Sequence, residues 1–304
     1  MSSPPGFAGV FALPIMPFLA DGAIDWASFD NEIDFCLAAK VHGLGIPLMA
    51  GEFYTLSDAE RFQVAERTVR TVRGRCPVII GVSGASAPIA AQFARHAREI
   101  GADGIIALPP YVVPDTAPGV LAYFRLLAES AAGIPIVYQN PSPPLGPVLS
   151  SESILNLARE IRSIEYVKEE ALPSGPRISY LVDKGRGLIK GVFGGMGGKF
   201  ILSELARGSC GIMPACHVPD VLVQVYERFK DGNVEGARGI YHDLLPLLML
   251  DGSGMWLQNA KYVLVKRGVI KTDVMRVPSG TRLDTVDVGE LEHALAKVQP
   301  WFRA

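Results

Sequence analysis

Short uninterrupted apolar runs alternate along this chain with longer stretches in which apolar residues recur at helical spacing. The short runs are Gly9–Phe18, Gly43–Leu48, Pro77–Gly81, Gly104–Leu108, Ile134–Tyr138, Ile164–Lys168, Gly187–Gly191 and Cys210–Met213. Each is aliphatic or β-branched and bounded by Gly or Pro, which predicts strands buried on both faces. The longer stretches predict helices. Ser57 to Val72 opens with Ser57-Asp58-Ala59-Glu60, where the serine hydroxyl and the glutamate carboxylate can each cap a free backbone N–H. Ser86 to Ile100 and Ser151 to Ile161 carry the same 3.6-residue period. Gly101 and Gly133 stand where a helix has to end and turn into the next strand.

Eight such runs, mostly separated by helices, predict an α/β fold, a (β/α)8 TIM barrel with a C-terminal helical extension. The expected division is residues 1–231 for the barrel and 232–304 for the C-terminal helical region, with breaks at Gly252–Gly254 and Pro278–Gly280. The competing architecture is a doubly wound open sheet. It would want a glycine-rich phosphate turn after the first strand, where this chain has Pro14-Ile15-Met16-Pro17.

Composition narrows the function. The 304 residues carry 29 Lys and Arg against 31 Asp and Glu, a formal charge of −2. A surface this balanced argues against a nucleic-acid partner held by a basic face. Disorder is excluded by a hydrophobic fraction of 49%. The longest uncharged stretch, Ser130 to Ser151, contains Pro135, Pro141, Pro143, Pro144 and Pro147, so no membrane span is expected. Cys36, Cys76, Cys210 and Cys216 are widely separated and form no C-x-x-C motif, and the first residues lack a basic signal region. The expectation is a cytoplasmic protein whose partner is a small molecule.

In such barrels the chemistry lies at the C-terminal strand ends. Those ends offer few metal ligands: only Glu52, Glu169, Glu170, Cys216 and His217, from scattered places. No metal and no cofactor are expected. Lys168 is the informative residue. It closes the run Ile164-Glu165-Tyr166-Val167-Lys168 and shares a face with Ile164 and Tyr166. Loss of hydration at such a position disfavours the ammonium form, and a neutral amine can attack a ketone to form an imine. A structural ion pair with Glu52, Glu169 or Glu170 is the competing reading of the same lysine. Gly194-Gly195-Met196-Gly197-Gly198 after the seventh strand reads either as a tight turn or as an anion-binding loop.

These residues together resemble the dihydrodipicolinate synthase / N-acetylneuraminate lyase family of Schiff-base barrel enzymes. The resemblance runs from Gly9-Val10-Phe11 through Pro17-Phe18, the segment Gly43 to Arg61, Pro77 to Val82, Gly101-Ala102-Asp103-Gly104 and Pro109-Pro110-Tyr111 to Tyr166-Val167-Lys168-Glu169. It implies that Lys168 forms the imine, that Ala50 and Gly51 bind the 2-oxo acid carboxylate through their backbone, and that the Met213 carbonyl faces the substrate. Tyr111 is implied as a catalytic residue reaching a neighbouring subunit's site, in a homo-oligomer built as a dimer of dimers.

The departures are specific. Met49-Ala50 stands where the family has two hydroxyl residues, and Gln139 stands where it has a catalytic tyrosine. Pro144 replaces an arginine serving the synthase's second substrate, and Gly191-Val192-Phe193 replaces a Gly-Asp-Asp phrase. Tyr138 lies one residue early and is expected on the opposite face unless the strand bulges. The chain thus resembles more closely the branch that dehydrates 2-keto-3-deoxy sugar acids, with Gln139 orienting the substrate and Glu52 or Glu169 as candidate bases. A dehydratase is favoured over an aldolase. The alternatives are 4-hydroxy-tetrahydrodipicolinate synthesis and a catalytically silent metabolite-binding homologue.

Overall fold

A computed structural model describes residues 6–113, 115–142, 145–276 and 282–304. Pro144 and the expected break at Pro278–Gly280 lie outside the described residues. Eight parallel strands close into a barrel in sequence order, with β8 pairing back onto β1. The strands are β1 (Gly9–Ala12), β2 (Gly43–Ile46), β3 (Val78–Gly81), β4 (Gly104–Ala107), β5 (Ile136–Asn140), β6 (Ile164–Glu169), β7 (Gly191–Gly194) and β8 (Gly211–Ile212). Between and around them run α1 (Trp26–Ala38), α2 (Asp58–Val72), α3 (Ala87–Glu99), α4 (Ala117–Ser130), α5 (Ser151–Glu160), α6 (Ser174–Lys184), α7 (Ile201–Ala206) and α8 (Pro219–Lys230). Then follow α9 (Val234–Leu250), α10 (Trp256–Lys266) and α11 (Thr285–Val298). The fold is the TIM barrel with C-terminal helices that the apolar pattern predicts.

Local signals act as physics requires. Ser57 and Glu60 form the reciprocal capping box at the start of α2. Asp25 caps α1 by accepting from the N–H groups of Ala27 and Ser28. An aromatic floor fills the N-terminal half of the barrel: Phe7 stacks on Tyr166 at 4.9 Å, and Phe11 meets Phe193 edge-on at 5.2 Å. The open end above that floor carries both polar and apolar side chains.

Two strands differ from expectation. β1 stops at Ala12 rather than Phe18, with two isolated bridges beyond it, Leu13 to Ala215 and Phe18 to Ile24. Pro14 and Pro17 bring no N–H to a ladder. The seventh strand lies at Gly191–Gly194, not Gly187–Gly191. Gly187 takes φ +73°, and the N–H groups of Leu188 and Ile189 both turn back to the Gly185 carbonyl. That apolar pair therefore ends α6 instead of starting the strand.

The C-terminal helices are attached through buried charge as well as apolar packing. Lys261 of α10 pairs with Glu52 after β2 at 2.5 Å, both side chains fully buried. Arg267 grips Asp220 of α8 through two bonds of 2.9 and 2.8 Å. Among the described residues, no helix is long and apolar enough to cross a membrane.

Candidate active site

The strand register brings the polar side chains together. Gln139 of β5 and Phe193 of β7 flank Lys168 of β6 as its Cα partners. Alternation then sends Gln139 and Lys168 inward, and Tyr138 and Asn140 outward to the helices. A cavity of about 390 Å³ opens there, a volume suited to a small metabolite. Lys168, Gln139, Ala50, Met213, Glu170 and Met49 contribute to its wall.

Lys168 is only 3% exposed, and its Nζ lies 3.0 Å from Oε1 of Glu170. The other carboxylate oxygen of Glu170 accepts a 2.6 Å hydrogen bond from Nε2 of Gln139. Glu170 thus bridges the amine and the amide. Its place depends on Gly195, where a Cβ would come within 2.5 Å of the Glu170 side chain. Gly194 is equally constrained, because a Cβ there would meet the Glu204 carboxylate at 1.8 Å. Burial raises the Glu204 carboxyl to about 7. The glycine-rich turn makes room for carboxylates, and the helix after it has only six residues.

The two other candidate bases stand elsewhere. Glu52 is fully buried against Lys261 and does not line the cavity. Glu169 points outward, where it accepts from Nδ2 of Asn140 at 2.9 Å and from the Ala171 N–H, and lies 3.2 Å from Arg177. Glu170 is the carboxylate placed on Lys168, and the same period of two that groups Tyr166 with Lys168 extends to it.

The turn after β2 carries a donor pair. The N–H groups of Glu52 and Phe53 close back on the carbonyls of Met49 and Leu48. Those of Ala50 and Gly51 have no hydrogen-bond partner among the described residues. Ala50 lines the cavity, whereas Gly51 follows it in the turn and is not among the lining residues. Met213, after β8 and only β1 away from β2, lines the cavity too, and its carbonyl accepts no hydrogen bond among the described residues.

Tyr111 is not brought to this cavity. Its ring stands edge-on to Phe53 at 5.7 Å, on the side of Arg61. Tyr138 is also absent from it: its ring packs on Phe124 of α4 at 5.1 Å, and its hydroxyl is buried without a partner. The β5–β6 pairing shifts register between Ile136 and Val137, yet this does not turn Tyr138 inward.

Sequence reasoning missed the far wall. Lys199, from the turn after β7, Asp251, from the segment joining α9 to α10, and Trp256, the first residue of α10, line the same cavity. Burial lowers the Lys199 ammonium's pKa and raises the Asp251 carboxyl to about 7. Behind Asp251 lies His217, with Nε2 at 3.6 Å from Oδ2. Burial, reinforced by Arg267 and Lys199, drives the His217 imidazole down to about 3. Adjacent Cys216 turns the other way and donates to Glu32 at 2.8 Å. Among the described residues no three His, Cys, Asp or Glu side chains gather as a metal-ligand set.

The chain matches the model of the dihydrodipicolinate synthetase family over residues 6–297. It is 28% identical to the L-2-keto-3-deoxyarabonate dehydratase of Azospirillum brasilense, over 91% of this chain and 90% of that one. Identity to a 4-hydroxy-tetrahydrodipicolinate synthase of Methanopyrus kandleri is 33%, over 79% of each. The crystal structure of dihydrodipicolinate synthase from Rhodopseudomonas palustris superposes with a TM-score of 0.88 at 30% identity, covering 96% of this chain and 97% of that one. By its motifs, its barrel and these similarities, the chain belongs to the dihydrodipicolinate synthetase family, a family of lyases.

Proposed function

We propose that this protein is a Schiff-base lyase acting on a 2-oxo acid, and that it dehydrates a 2-keto-3-deoxy sugar acid. The observation that carries the reading is the buried Lys168 amine, 3.0 Å from Glu170, in a cavity that Ala50 also lines. The N–H groups of Ala50 and Gly51 hold the substrate carboxylate. Nζ of Lys168 then attacks the C2 carbonyl carbon, and water leaves as the imine forms. The protonated imine withdraws electrons from C3. Glu170 takes the C3 proton, and the enamine expels the C4 hydroxyl with a proton returned to it. Gln139 fixes Glu170 and orients the substrate. Tyr111 serves a neighbouring copy in this reading, a role supported by the exposed Val112 and Val113 beside it.

Synthase chemistry has less support in the site, although several relatives carry that name. Met49, Ala50 and Gln139 offer no ionisable hydroxyl relay, and Tyr138 stands behind the sheet. One preparation tests both. Borohydride with pyruvate or 2-keto-3-deoxyarabonate is expected to add mass to the peptide carrying Lys168, and Lys168→Ala to abolish it. Turnover of the sugar acid should exceed dihydrodipicolinate formation from pyruvate and aspartate semialdehyde by ~10²-fold or more. An adduct that survives Lys168→Ala, or robust synthesis without sugar-acid turnover, overturns the reading.

A further inference from the structure

The cavity extends beyond what imine formation uses. Its far wall presents one cation and one carboxylate, Lys199 and Asp251, contributed by segments distant in the chain. Neither is spent on the other. Nζ of Lys199 has no hydrogen-bond or ion-pair partner among the described residues, and Asp251 makes no ion pair with it. Oδ1 of Asp251 is buried without a hydrogen bond, and its side chain is 8% exposed. A buried carboxylate oxygen left unsatisfied costs free energy unless something else satisfies it.

The two groups sit on either side of the glycines that shape the wall. Oδ2 of Asp251 is 3.9 Å from where a Cβ on Gly197 would lie, and Nζ of Lys199 is 3.9 Å from the same point on Gly252. Asn259 hydrogen-bonds to Asp251, and His217 lies behind it with Nε2 3.6 Å from Oδ2. We propose that Lys199 and Asp251 form a subsite for the far end of the substrate, and that they select a neutral hydroxylated tail over one ending in a second carboxylate. The inference rests on the 2-oxo acid reading above.

A hydroxyl is the group this pair fits, because it accepts from an ammonium and donates to a carboxylate at once. A second carboxylate fits only half of it. Lys199 would attract the second charge, but Asp251 would repel it across a partly desolvated wall. The charges in the cavity argue the same way. Lys168 is paired with Glu170, and Lys199, the other cation of the lining, is accompanied there by Asp251, so a second anion would meet as much negative charge as positive.

The test measures how much of each acid half-saturates borohydride trapping on Lys168. The acids are pyruvate, 2-keto-3-deoxyarabonate, and the diacid of the same chain length that keeps the 4-hydroxyl. Wild-type protein is expected to need about tenfold less of the sugar acid than of the diacid. Lys199→Met and Asp251→Asn should each raise the sugar-acid requirement about tenfold and leave pyruvate, which has no tail, unchanged. Asp251→Asn should also narrow the gap to the diacid. Pyruvate serves as the control for folding and for the imine itself. If the variants shift pyruvate and the sugar acid together, or shift neither, the subsite is wrong while the imine stands. If wild-type protein gives no adduct on Lys168 with any acid, the imine reading fails and takes the subsite with it.

Discussion

Glu169 and Glu170 are neighbours in sequence with opposite surroundings. Glu169 is fully buried behind the sheet, tied to Asn140, Arg177 and the Ala171 N–H. Glu170 faces the cavity and touches Lys168 and Gln139. Glu170→Gln should therefore lower turnover by ~10²–10⁴-fold, the usual loss for a missing general acid or base, with thermal stability nearly unchanged. Glu169→Gln should instead lower stability and leave the pH profile of turnover in place. Steady-state rates against pH, with melting curves of both variants, check the pair. A full-rate Glu170→Gln enzyme would remove Glu170 from the chemistry. Lys168 was legible because one charged residue closing an apolar strand can be recognised from sequence. Glu170 falls on the same face by alternation, two residues further on, but the apolar strand pattern ends at Lys168 and leaves no sign of it. Lys199 and Asp251 follow no periodic pattern, since each belongs to a connecting segment and only the closed barrel brings them together.

The elements that position these residues differ in how openly the sequence declares them. α2 is announced by its capping box, and β3 and β4 by aliphatic runs with glycine or proline at their edges. β7 was misplaced because Leu188-Ile189 has strand composition but serves as the turn after α6. The glycines that follow β7 were read as a turn or an anion loop; their measurable role is close approach. At Gly195 a methyl group would meet the Glu170 side chain from Cγ to Oε1, so the whole carboxylate arm would have to shift. Gly195→Ala is thus expected to displace the carboxylate from Lys168 without unfolding the barrel. The expected outcome is a fall in turnover approaching that of Glu170→Gln, with little change in melting temperature. Recovery of the lost rate by no other means than restoring glycine would fit this account; an alanine variant with full activity would show that Glu170 does not need its present position.

At the scale of the whole molecule, Lys261–Glu52 is the more enclosed of the two buried ion pairs that tie the C-terminal region to the barrel. Lys261 from α10 and Glu52 after β2 are both completely inaccessible, and Lys261 also donates to the Val274 carbonyl at 2.7 Å. Burial pushes the Glu52 carboxyl up and the Lys261 ammonium down, while each partner opposes the shift in the other. Removing one charge leaves the other without its close partner at a site that water does not reach. Such a change costs about 3–5 kcal/mol, whereas replacing both partners is often close to neutral. Lys261→Met should consequently lower the melting temperature by roughly ten degrees, and Lys261→Met combined with Glu52→Gln should recover most of the loss. Because Glu52 ends the turn that presents the Ala50 and Gly51 donors, the single variant should also weaken trapping of pyruvate on Lys168. A cooperative single transition in all three proteins would show the helices and barrel unfolding together. Two separate transitions, or a Lys261→Met protein as stable as the parent, would mean that the pair does not join them.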